Sequence, residues 1–205
     1  MKNSIKPITN LILLLIILTV TSCKKENTFT DYKFAKKDNI ITCKNQNNKL
    51  ITEALLSFEN DISVYYADLT KNDLAKAYSI FLSSAPVNTL KYQEVVSPHS
   101  IKVFEALKNE AGLWDANNPN SHLNYKGDLL TCIVDNFRDK KLKTTYNALV
   151  TTNSMKPALL ASPVARDYRT IVFDKYLSAY IALDLYYAKF FDIDLSSVTE
   201  KAIIE

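Results

Sequence analysis

The chain has 205 residues, 47% hydrophobic and 23% charged, which is enough for one core and short for two domains. Only two glycines, Gly112 and Gly127, are present, so the glycine-rich phosphate loops and nucleophile elbows are excluded, and turn-rich barrels are disfavoured. The net charge of +3 lies at the N-terminal end, because residues 50–205 carry sixteen Lys and Arg against nineteen Asp and Glu; a mildly acidic body is not a nucleic-acid binder.

Lys2 and Lys6 precede an apolar run, Leu11–Val20. As a helix it would cover about 15 Å, half of a bilayer's hydrocarbon, which fits a signal-peptide core and not a spanning segment. The run closes on Val20-Thr21-Ser22-Cys23. This resembles the lipobox of bacterial lipoproteins: an aliphatic residue, then small residues, then cysteine. The resemblance implies cleavage before Cys23 and acylation of its thiol and its new α-amino group. Two or three acyl chains give durable anchoring, where one is marginal. Residues 1–22 are thus expected to be a signal peptide, and the membrane is expected as a partner through Cys23. Lys24-Lys25-Glu26 follows, without the Asp that enterobacterial systems read as inner-membrane retention. The resemblance therefore favours the outer membrane. The Lys-plus-acidic stretch is also similar to the surface-export tag of some Bacteroidota lipoproteins, so both membrane faces stay open.

Residues 23–48 are polar and lysine-rich without a sustained period, which predicts a flexible tether that lifts the body from the membrane. From residue 49 the helical period takes over. Leu50, Ala54, Leu55, Phe58, Ile62 and Tyr65 form one apolar face to about Ala67. Thr70-Lys71-Asn72-Asp73 reads as a capping box opening a second helix that Pro86 stops. Ser97-Pro98 reads as an N-cap and first helical position for a third, with Gly112 at its end. Asp115–Lys126 is an Asn-rich loop. A fourth helix uses Leu129, Leu130, Ile133, Val134 and Phe137, with Asp139 capping a continuation to Val150. Pro163 is expected to open the longest helix, to Phe191. On its wheel Asp167, Thr170, Asp174, Ser178 and Asp184 share one half, opposite a broad aromatic face. Ser197-Val198-Thr199-Glu200 reads as a cap for a terminal stub. Residues 49–205 are therefore expected to be one all-α domain, a bundle of five or six helices with a long aromatic-faced C-terminal helix.

Arg169 sits amid that aromatic face, with Arg166 one turn before it and Tyr176 and Tyr180 beyond. Two readings stand: an anion-binding pocket in which the tyrosine hydroxyls orient a ligand, or a salt bridge with stacking on tyrosine. Cys43 and Cys132 are the thiols left after acylation. A disulfide between them and two unrelated cysteines are both open, in an oxidising envelope. His99 and His122 lie in no metal motif, and the Asn-rich loop lacks the glycine and closing glutamate of a calcium loop, so no metal or other cofactor is expected. No catalytic constellation is recognisable. The expected role is a binding or scaffolding module in the cell envelope with an envelope protein as partner. The alternative is capture of a small anionic or sugar-like ligand around Arg169.

Overall fold

The computed structural model describes residues 29–36 and 39–198. The expected signal peptide, Cys23, and Thr199 and Glu200 of the expected terminal cap lie outside them.

The fold is all-α. Among the described residues there are α1 (Asn48–Tyr65), α2 (Ala67–Thr70), α3 (Leu74–Ser84), α4 (Tyr92–Val95), α5 (Pro98–Leu107), α6 (Asp128–Asp135), α7 (Lys140–Thr151), α8 (Pro157–Arg166), α9 (Tyr168–Ile171) and α10 (Lys175–Ile181). A π turn, Ala182–Tyr186, and a 3-10 turn, Tyr187–Phe191, extend α10. None of the described helices is long and apolar enough to cross a membrane. The helices are more numerous and shorter than five or six, because polar caps interrupt periods that continue across them.

The C-terminal element shows this most plainly. Pro163 does not open a helix: it lies inside α8, and Pro157 occupies the first turn instead. The expected continuous helix then breaks twice. Asp167 (φ −118°, ψ 44°) separates α8 from α9, and Asp174 (φ −106°, ψ 85°) separates α9 from α10. Each break resets the wheel, so the polar half is split: Asp167 and Thr170 remain exposed. Asp174, Ser178 and Asp184 are buried, while Phe173 is 66% exposed. Every residue from 177 to 188 is buried, so this element is the centre of the molecule. It packs on α1 and α6, and its π turn also meets the 3-10 turn Ala85–Val87.

The second helix also starts later than its motif implies. Lys71 and Asn72 adopt left-handed φ of 54° and 61° after α2, and Asp73 is the true cap, accepting from the Lys76 N–H at 3.2 Å. The caps at Ser97 and Asp139 are where the sequence places them.

The tether is narrower than expected. Residues 29–36 and 39–47 lie on the body, with Ala35, Ile41 and Cys43 buried. The cause is a row of side-chain acceptors on α1. Thr52 Oγ1 accepts from the Ile40 and Ile41 N–H groups at 3.1 and 3.3 Å, and Asn48 both accepts from and donates to Cys43 backbone. A segment with few apolar residues is thereby held by its backbone, which a hydropathy pattern does not register.

Candidate functional site

The four residues expected to form a ligand pocket do not converge. Tyr180 is buried and donates to Asp184 Oδ2 at 2.6 Å. Tyr176 turns toward the N-terminal arm, where its hydroxyl lies 3.2 Å from Thr42 Oγ1. Arg166 is exposed at the end of α8. Arg169 is exposed too, with its guanidinium 5.5 Å from the centre of the Tyr168 ring. The wheel that joined them assumed one unbroken helix, and the breaks at Asp167 and Asp174 rotate them apart.

What those breaks create is Phe173. It stands in the non-helical link between α9 and α10, projecting into solvent between two grooves. One groove, about 620 Å³, is bordered by Asp73, Leu74, Lys76, Tyr168, Arg169 and Val172 beside Phe173. The other, about 560 Å³, is bordered by Arg138, Leu142, Pro163, Val164, Asp167 and Thr170. Large aromatic side chains are enriched among the residues that anchor protein interfaces. An unbroken helix would put Phe173 on the aromatic face; the cap at Asp174 leaves it outside a helix.

Beneath the surface lies a set of buried carboxylates, of which the helical wheel singled out only Asp184, on its polar half. Asp184, in the π turn, accepts from Ser121 Oγ at 2.6 Å, Tyr125 at 2.9 Å and Tyr180. Burial drives its pKa above the usual carboxylate value, opposed by the three hydroxyl donors. Asp61 accepts from the Ser97 N–H, Ser100 Oγ and Tyr186. Glu59 pairs with Lys175 at 2.7 Å and accepts from Tyr78. Burial in turn raises the Tyr78, Tyr180 and Tyr186 phenols well above their normal range, so they are protonated donors at any physiological pH. These acids have their hydrogen bonds met within the chain, and none opens onto either groove.

Glu53 does something different. Its carboxylate accepts from three successive arm N–H groups: Lys33 at 2.7 Å, Phe34 at 3.0 Å and Ala35 at 2.6 Å. Such a run of backbone donors is an anion nest, here closed on the protein's own side chain. His99 Nε2 lies 2.6 Å from the same carboxylate, and Phe34 packs edge-on against the imidazole. Past this seat the arm is also tied covalently. Cys43 and Cys132 form a disulfide with their Cα atoms 5.9 Å apart, joining the arm to α6.

The Asn-rich loop is held by its own side chains. Asn118 accepts from the N–H groups of Asn120 and Ser121 and donates to the Leu123 carbonyl, and Asn124 donates to the Gly112 carbonyl. Among the described residues no group of three or more His, Cys, Asp or Glu side chains could hold a metal ion. Comparison of the chain with protein-family models, with characterised proteins and with solved structures finds no match.

Proposed function

We propose that the protein is a lipoprotein of the bacterial cell envelope, acylated at Cys23 and held in the outer membrane, whose helical body is a binding module for an envelope protein. The anchor rests on the lipobox resemblance. The binding role rests on one observation: Phe173, 66% exposed, stands between two grooves on a body whose other aromatic residues are mostly buried. A side chain of that size gains free energy by burial, of order 2 kcal/mol, and a partner is what would bury it. The small-ligand alternative loses its tyrosines to Asp184 and Thr42, and keeps only Arg169 at the edge of one groove.

The test is a photocrosslinking residue placed at position 173 in cells, with the same probe at Leu69, which is 73% exposed on α2, as control. A discrete adduct with one envelope protein at 173, absent at 69 and absent when Cys23 is replaced by Ala, is expected. Adducts that are diffuse, or the same at both positions, would overturn the binding face. Phe173→Ala is expected to abolish the adduct formed from a neighbouring probe at Thr170 and to leave the melting temperature within about 2 °C of wild type, as for other exposed substitutions.

A further inference from the structure

The docked arm changes where the body stands. Cys23 and Phe29, the first described residue, are six positions apart, a separation that spans at most about 21 Å in any conformation. From there the described residues of the arm are held at three places: residues 33–35 on Glu53, residues 40–41 on Thr52, and Cys43 on Cys132. No long slack remains between the anchor and the body. The surface around the arm must therefore lie near the bilayer.

That surface has the composition a bilayer selects. Lys33, Lys36 and Lys49 are exposed, Lys49 with its ammonium 4.0 Å from the centre of the Tyr32 ring. Lys102 is exposed as well and reaches Asp31 at 3.0 Å, a contact that holds the Asp31 carboxyl below its usual range. Among the described residues Asp31, Glu110 and the buried Glu53 are acidic groups near these four lysines, so the lysines outnumber them on a body that is acidic as a whole. Between the lysines Phe34 and Ile40 are 36% and 37% exposed. Lysines around partly exposed apolar side chains suit an interface in which ammonium groups meet anionic headgroups and rings enter the acyl boundary.

We infer that the arm face, built on Lys33, Phe34, Lys36, Ile40 and Lys49, is a membrane-contact surface that seats the body directly on an anionic lipid bilayer. The inference rests on the reading of Cys23 as acylated. A second surface of this kind adds to the acyl chains, as basic patches do for singly anchored proteins, and it fixes the body's orientation rather than merely its attachment.

The test uses the full protein extracted from membranes and reconstituted in vesicles of phosphatidylethanolamine with one-quarter phosphatidylglycerol. Lysines are acetylated briefly and the modification is read by mass spectrometry, alongside the mass of the Cys23 peptide and flotation of the vesicles. The expected result is acylated Cys23, flotation, and several-fold slower labelling of Lys33, Lys36 and Lys49 in vesicles than in detergent, with Lys71, Lys76 and Lys140 unchanged. Phe34→Asp with Ile40→Asp should restore labelling while flotation persists. Acylated, floating protein that labels evenly overturns the contact surface alone. A Cys23 peptide without acyl mass, in protein that does not float, overturns the anchor and this inference together.

Discussion

At the scale of single residues, Asp184 sets out the terms on which a carboxylate enters this core. Its three hydroxyl donors come from residues 121, 125 and 180, and burial still leaves its pKa raised. A raised folded pKa means that its contribution to stability is complete below the unfolded value, near 4, and is lost as pH rises through the folded value. Asp184→Asn removes the ionisation and keeps the shape. The variant is expected to be less stable than wild type at pH 4, and the gap is expected to close as pH approaches 7. Urea denaturation of both proteins across that range measures it, and a gap that widens would contradict the assignment. Glu53 is seated differently, on a nest of backbone N–H donors and a histidine. Glu53→Ala leaves His99 and the Ala35 N–H buried without their acceptor, and the part-buried N–H groups of Lys33 and Phe34 without theirs, which should cost about 3–5 kcal/mol, with faster amide exchange at residues 33–35. Neither role was legible in the sequence. Ser121 lies 63 positions from Asp184, and His99 lies 46 from Glu53, so nothing local marks either acid as buried.

At the scale of elements, caps decide more than periods do. The sequence makes the helical class plain, because scarce glycine and an i, i+3, i+4 apolar pattern both point that way. It makes Ser97 and Asp139 legible as caps, since each stands directly before a period that starts there. It conceals Asp167 and Asp174, because the apolar period runs on through both. Asp174 joins two elements: Oδ1 accepts from the Leu177 N–H at 3.1 Å and Oδ2 from the Arg138 N–H at 2.8 Å. Asp174→Ala should therefore cost more than a simple cap, about 2 kcal/mol or above, since the N–H of Arg138 also loses its acceptor. Asp139→Ala, whose carboxylate caps α7 alone, should cost about 1 kcal/mol. Chemical denaturation of the two variants side by side checks the order; equal losses would mean that the Arg138 contact contributes nothing. The π turn was equally hidden. It continues a helix that is buried on every side, and Asp184 and Tyr186 lie within it.

At the scale of the whole molecule, the arm determines how the domain meets its surroundings, and two separate forces hold it. One is the set of acceptors on α1: Glu53, Thr52 and Asn48. The other is the Cys43–Cys132 bond, which closes 89 positions of chain. A loop of that length restricts the unfolded chain by about 4–5 kcal/mol in the entropic account. Cys43→Ser with Cys132→Ser should lower stability by up to that amount. If the bond acts mainly on the unfolded chain, its loss changes nothing at the Glu53 seat, and amides 33–35 should keep their exchange protection relative to the global unfolding limit. The combined variant, with Glu53→Ala added, should then be destabilised by the sum of the separate losses to within about 0.5 kcal/mol, as expected for independent contributions. Should the two losses fall well short of additivity, the arm would instead dock as one cooperative unit, released in full when either tie is cut. The distinction bears on the proposed membrane-contact surface: independent ties leave Lys33, Phe34 and Lys36 in place after reduction, whereas a cooperative arm would release them together.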